Sequence, residues 1–133
     1  MSDWLVETRV KASSLLHVIM THMEEAPVAT QHADKVLNLM LSGARDEEVR
    51  VVKNVCKVAE MYGRFVPPKT WLSLVRPKIL ATDPPRCCAT DLMVLSAMIE
   101  AADRELLARV AEDLVLTLQD DSVCLRIDVS EVG

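Results

Sequence analysis

An apolar pattern with helical spacing occurs three times along this chain, at intervals of 38 and 36 residues. The three copies begin at Thr30, Pro68 and Arg104. Aligning them brings four apolar columns into register: Ala33, Trp71 and Leu107; Val36, Leu74 and Val110; Leu37, Val75 and Ala111; Leu41, Ile79 and Val115. Helices of a generic bundle do not need to share a register. The repeat therefore indicates a chain assembled from similar helical units.

The central stretch, residues 46–80, shows the unit most clearly. The sequence predicts a helix over residues 46–62 with Asp46 as its N-cap, a turn over residues 63–68 that Gly63 begins, and a second helix over residues 69–80. Two prolines open the second helix, where a missing N–H costs little. The predicted unit is a pair of antiparallel helices.

The same signals predict five further helices. They cover residues 3–23, 30–41 and 88–101, a segment from residue 103 and a segment from residue 121 to the chain end. The predicted N-caps are Asp3, Thr30 and Asp103, and Gly43 is predicted as a left-handed C-terminal cap. Each of the first six helices has a predicted inward face. These faces are Leu5, Ala12, Leu15, Leu16, Ile19 and Met23 in the first helix; Ala33, Val36, Leu37, Met40 and Leu41 in the second; Val49, Val52, Cys56 and Ala59 in the third; Trp71, Leu72, Val75 and Ile79 in the fourth; Leu92, Leu95, Ser96 and Ile99 in the fifth; and Leu107, Val110, Ala111, Leu114 and Leu118 in the sixth.

Composition favours helices over sheets. Half of the 133 residues are hydrophobic, only 3% are aromatic, and three are glycine. An aliphatic core of Leu, Val, Ala and Met is typical of packed helices, whereas a β-sandwich would need more aromatic residues and more turns. A repeat of about 40 residues with two helices, Asp46 before Val49-Arg50 and Pro77 near the end of the other helix is HEAT-like. We therefore predict an all-α fold, a HEAT-like α-solenoid built as a superhelix of antiparallel helix pairs, with about seven helices.

The predicted organisation is one HEAT-repeat domain over residues 1–133. It divides into a half repeat at residues 1–27, full repeats at 28–66 and 67–102, and a truncated repeat at 103–133. The sequence shows no polar capping helix at either end, although solenoids need such caps for solubility. We therefore expect a fragment of a longer solenoid, with self-association through the open ends as the alternative.

Charge is unevenly distributed along the chain. Residues 45–86 carry nine basic and five acidic side chains, whereas residues 87–133 carry three and ten. The net charge of −5 disfavours nucleic acid as a partner. The candidate partner-binding residues are Arg50, Lys53, Lys57 and Arg64. They predict a basic stripe for an acidic protein. The alternative is a solvated face with local ion pairs from Glu47 to Arg50 and from Glu60 to Arg64.

Signals for catalysis, cofactors or metals are weak. His17 and His22 are five residues apart, about 140° around a helix, so they cannot share a ligand face. The adjacent Cys87 and Cys88 leave a thiol-dependent enzyme as a remote alternative, but no C-x-x-C pair or phosphate loop occurs. No signal peptide or apolar run of about 20 residues is present. We expect a non-enzymatic cytoplasmic protein with no catalytic, cofactor or metal site and no membrane contact.

A family resemblance adds a specific hypothesis. Residues 61–68 read Met-Tyr-Gly-Arg-Phe-Val-Pro-Pro, and the next helix carries Trp71, Leu72, Leu74, Val75 and Pro77. Leu92-x-Val94-Leu95 and Glu105-Leu106-Leu107 follow. Together they resemble the HEAT-repeat dynein axonemal assembly factor 5 family, from about Leu15 to Arg126.

The resemblance implies part of a long cytosolic solenoid that helps to preassemble axonemal dynein arms, holding dynein chains together with chaperones. It carries over no catalytic motif, and this chain is far shorter than the family implies. A HEAT scaffold or adaptor of another complex, in phosphatase regulation, transport or translation, is the alternative function.

Overall fold

The computed structural model describes residues 2–22, 31–80 and 85–120, with side chains from residue 4 in the first range and from residue 89 in the last. Seven α-helices lie in these ranges: α1 (Ser2–Thr21), α2 (Ala33–Gly43), α3 (Val49–Phe65), α4 (Pro68–Leu80), α5 (Pro85–Ala101), α6 (Arg104–Arg109) and α7 (Ala111–Leu118). The described residues contain no strand. The all-α prediction is confirmed. The helix predicted from residue 121 lies outside the described residues, and the seventh helix arises because the predicted sixth is divided.

Alternate helices lie side by side in two rows. Helices α1, α3 and α5 form one row, in which α3 packs against both neighbours. Helices α2, α4 and α6 form the other, and contacts from α2 to α3 and from α4 to α5 join the rows. Helices α2 and α3 form one pair, and α4 and α5 form the next. We therefore call α2, α4 and α6 the first-helix row, and α1, α3 and α5 the second-helix row. Stacked helix pairs of this kind define an α-solenoid, as predicted.

The core lies between the rows and follows the predicted stripes of α2 and α4. Its members from these helices are Ala33, Val36, Leu37, Met40 and Leu41 with Trp71, Leu72, Val75 and Ile79. The third copy of the repeat departs from the predicted register. Ala111 and Val115 are exposed, whereas Leu114 and Thr117 are buried. The helix divides at Val110, whose N–H donates to the Leu107 carbonyl, so residues on either side no longer share one stripe.

The predicted inward face of α1 is wrong. Leu5, Leu15 and Ile19 are more than half exposed, whereas Ser13 and Met20 are buried. Among the described helices, α3 is the main neighbour of α1. Because residues 15–20 are apolar almost all round, their periodicity could not select the side that faces α3.

Helix α3 begins three residues later than predicted. Its N-cap is Glu48, whose carboxylate accepts a hydrogen bond from the Arg50 N–H. Asp46 instead accepts one from the Glu48 N–H at 2.9 Å. The buried face of α3 is also rotated relative to the predicted one, because Val49, which was predicted to point inward, is 61% exposed. The residues that α3 buries are Val51, Val55, Val58, Ala59, Tyr62 and Gly63.

Several predicted helix ends differ in the structure. Gly63 lies inside α3 and does not end it, and it packs against the Met98 backbone of α5. Gly43 is the last residue of α2, and the C-cap is Ala44 in right-handed conformation, so the left-handed cap is wrong. Helix α1 includes Asp3, so that residue does not precede it as a cap. Thr30 lies outside the described residues. Asp103 caps α6 as predicted, accepting hydrogen bonds from two backbone N–H groups.

Candidate functional site

The structure places the four predicted partner-binding residues on the solvent face of α3. Arg50, Lys53, Lys57 and Arg64 are all exposed and recur at intervals of three, four and seven residues, so they form one stripe. The buried valines Val51, Val55 and Val58 lie on the opposite side of α3, so this face points outward. We call these four residues the basic stripe. It runs along the middle helix of the second-helix row.

Among the described residues, Arg50 is the one member of the basic stripe that forms ion pairs. Its guanidinium donates to Glu48 at 2.9 Å and reaches Glu7 on α1 at 2.8 Å. Both hydrogen bonds raise the pKa of Arg50, and Arg50 in turn lowers the pKa of Glu48. The predicted partner Glu47 is not used. Arg50 therefore helps to join α3 to α1.

The other three cations remain available to a partner. Lys53, Lys57 and Arg64 form no ion pair with any described residue, and the predicted pair between Glu60 and Arg64 does not form there. Residues 53 and 64 are about 16 Å apart along the helix axis. An acidic segment could contact all three cations without displacing an internal partner.

Polar contacts between helices fix the position of this surface. Arg9 of α1 binds Asp46 at 2.8 Å, and Asn54 of α3 donates to the Ser13 hydroxyl at 3.0 Å. The hydrogen bond from Arg9 lowers the pKa of the Asp46 carboxyl, and the Glu48 N–H adds to this effect. These contacts hold α1 in a defined register on α3.

A further ion pair reaches α5. Arg45, in the loop before α3, contacts the fully buried carboxylate of Asp91 at 3.1 Å. Sequence analysis identified none of these contacts. One signal was present: Arg9 and Asp46 are 37 residues apart, close to the repeat interval, as residues in adjacent repeats would be.

The structure offers little for thiol or metal chemistry. Cys56 is half-buried, and burial raises the pKa of its thiol, which favours the unreactive protonated form. The side chains of Cys87 and Cys88 lie outside the described residues. Across the described ranges, no three His, Cys, Asp or Glu side chains come together as metal ligands. None of the described helices combines the length and the apolar character needed to cross a bilayer.

Two rows of paired helices, with side chains presented along an extended outer surface, define the class as a HEAT-type α-solenoid domain. Residues 1–132 match the family model described as "Dynein axonemal assembly factor 5, HEAT-repeat domain". The chain belongs to this family. The resemblance noted from the turn and helix residues is thereby confirmed.

Curated relatives agree with the family model. The human protein named Dynein axonemal assembly factor 5 is 35% identical over 123 residues. Its namesakes from Xenopus laevis and Mus musculus are each 34% identical over the same length. The match covers 92% of this chain but only 14% of each relative. No solved structure matches the chain significantly.

Proposed function

We propose that this chain is a non-enzymatic protein-interaction scaffold that acts in the cytoplasmic preassembly of axonemal dynein arms. Family membership supports the process, because the relatives are named as dynein axonemal assembly factors. The chain spans about one seventh of their length. The proposal therefore concerns one segment of such a scaffold. Its division into a half repeat, two full repeats and a truncated one is part of the proposal, and the stacking of alternate helices supports it.

The basic stripe is the observation that carries the binding mechanism. Lys53, Lys57 and Arg64 are exposed cations on a helix that ion pairs hold against its neighbours. Because the helix backbone is already formed, binding has to order only the side chains of the stripe and the partner. The partner would be an acidic segment of a dynein chain or of a chaperone, held by several weak contacts along the row. Such contacts are between exposed charges, so salt should weaken them.

The test uses a triple charge reversal, Lys53→Glu, Lys57→Glu and Arg64→Glu. Arg50 stays unchanged because it joins α3 to α1. The matched control reverses Lys35, Lys69 and Arg76, three exposed cations of the first-helix row, and changes the net charge equally. Each protein is added to cytosol from ciliated cells, and the recovered dynein chains and chaperones are quantified. Circular dichroism checks that each variant remains folded.

We expect the stripe variant to recover at least about tenfold less dynein chain than the wild type, a loss of roughly 1.4 kcal/mol in binding. The control variant should recover wild-type amounts. Equal recovery by both variants would remove the stripe from the mechanism. Recovery of a different complex by the wild-type protein would remove dynein assembly and leave a HEAT scaffold of another system.

A further inference from the structure

An open apolar groove lies between α1 and α2, with α3 as its floor. Its volume is about 490 Å³. Val51 and Val55 form the buried floor, and Leu15, Ile19 and Leu39 form the walls. The three wall residues are 51%, 54% and 55% exposed. Large side chains that are half exposed and face one another across a groove lack the packing that the core residues have.

The surroundings of α2 show what fits this groove. Helix α2 lies against α3, α4 and α5. Positions that are one helix pair apart in a solenoid have equivalent neighbours. The position one pair before α2 in the first-helix row would therefore have α1, α2 and α3 as its neighbours. The same three helices line the groove. The groove is therefore the next position in the first-helix row, and it continues the established α2–α4–α6 interface.

The dimensions agree with a helix of the same length as α2. The groove follows α1 from Arg9 to Ile19, a rise of about 15 Å. Helix α2 has 11 residues, which corresponds to about 16 Å. Three turns of helix would cover the walls from end to end.

The groove is also chemically suited to an apolar helix face. Its charged border residues, Arg9 and Asp46, bind each other at 2.8 Å. The Ser13 hydroxyl donates to the Val10 carbonyl and accepts from Asn54. These polar groups already have partners, so the surface left to an occupant is mainly aliphatic, with Ser42 as the other polar lining residue.

We infer that this groove binds one amphipathic HEAT helix of the first-in-pair type, which pairs with α1 as α2 pairs with α3. The helix presents apolar residues at intervals of three and four to Leu15, Ile19 and Leu39, as α2 presents Val36, Leu37 and Met40 to its own neighbours. This binding site is separate from the basic stripe and does not depend on the proposed role in dynein assembly.

The probe is a labelled peptide of residues 31–44, because α2 occupies the equivalent position one pair along the row. An isolated helix of this length is marginal in water, so a covalent staple joins positions 34 and 38, both exposed in α2. The staple reduces the entropy lost on binding. Fluorescence anisotropy measures binding to the intact chain. A second peptide with Leu37→Glu and Met40→Glu has a charged contact face and serves as the probe control.

The protein variant is Leu15→Glu with Leu39→Glu, which places two carboxylates on the groove walls. The matched control is Leu116→Glu on α7, because Leu116 is 52% exposed and lies outside the groove. Saturable peptide binding should weaken at least tenfold in the double variant and less than about twofold in the control, since burying an unpaired charge costs well over 1.4 kcal/mol. Unchanged thermal melting shows that each variant is folded.

Three outcomes would overturn the inference. One is the absence of saturable binding by the stapled peptide. Another is binding that is equally strong in the double variant or with the charged peptide. The third concerns a second copy of the chain: sedimentation that shows a dimer, abolished by the double variant, would mean that the groove is a self-association surface. A monomeric chain whose peptide binding depends on Leu15 and Leu39 supports the inference.

Discussion

Tyr62 joins two helices through one buried hydroxyl. The side chain is fully buried, and its hydroxyl donates to the Ala33 carbonyl oxygen at 2.9 Å. Burial raises the pKa of Tyr62 well above its usual value of about 10, because the ionised phenolate would lose its hydration. Tyr62 is the only tyrosine in the chain, so its titration can be followed without interference.

Tyr62 should make stability depend on alkaline pH. The folded state favours the neutral phenol, and this preference contributes to the free energy of unfolding. The contribution is complete below about pH 10, where the unfolded side chain titrates. It is lost as pH rises through the higher pKa of the folded state. Tyr62→Phe should remove this dependence and cost about 0.5–1.5 kcal/mol at neutral pH. Urea denaturation at neutral and alkaline pH measures both effects. Lysine titration is common to the two proteins, so an equal alkaline loss in both would contradict the prediction.

Two glycines act at the level of helix contacts. A Cβ at Gly63 of α3 would lie 2.6 Å from the Met98 Cα of α5 and closer still to the Met98 carbonyl oxygen. A Cβ at Gly43 would meet the Val55 side chain at 2.7 Å. Backbone atoms cannot move without shifting a helix, whereas a side chain can rotate. The second-helix row therefore depends on Gly63 for the close approach of α3 and α5.

Gly63→Ala should destabilise the chain although alanine has the better helix propensity by about 1 kcal/mol. Overpacking of this kind costs about 1–3 kcal/mol or more. Gly43→Ala is the matched control and should cost less, because the Val55 side chain can yield. Urea denaturation of the two variants gives the comparison. A Gly63→Ala protein as stable as the wild type would mean that α3 and α5 do not approach so closely.

At the level of the whole molecule, stability comes from contacts between neighbouring helices. The described helices contact mainly those next to them within a row or pair. Solenoid stability is approximately a sum of such neighbouring terms. A side chain enclosed by several helices should therefore contribute more than one at the end of a row.

Leu37→Ala and Leu114→Ala should each cost about 2–5 kcal/mol, as deletions of buried leucines do. Leu37 is fully buried in α2, and Leu114 is 8% exposed in α7, so Leu37→Ala should be the more costly. Leu116→Ala, in the same helix as Leu114 but 52% exposed, is the control and should have little effect. Thermal melting tests the order, and an unchanged midpoint for Leu37→Ala would contradict the core assignment.

Sequence-based prediction succeeded where one element carries one clear signal. Helices α2 and α4 each have a single apolar stripe at helical spacing, and that stripe is buried. The residues of the basic stripe lie on one exposed face because they share helical spacing, and their role in binding stays a prediction. Prediction failed for the buried face of α3, whose valines occur on several sides, at Val49, Val52 and Val55 among others.

The sequence by itself determined the succession of helices, because propensity and apolar periodicity are local properties of the chain. Its turn and helix residues also carried the resemblance that identified the family. Only the tertiary structure decided which face of α1 is buried, because that depends on which helices lie beside it. The same holds for Gly63, whose role comes from the backbone of a helix more than 30 residues away. Contacts between helices distant in the chain, such as Arg9 with Asp46, exist only once the rows have stacked.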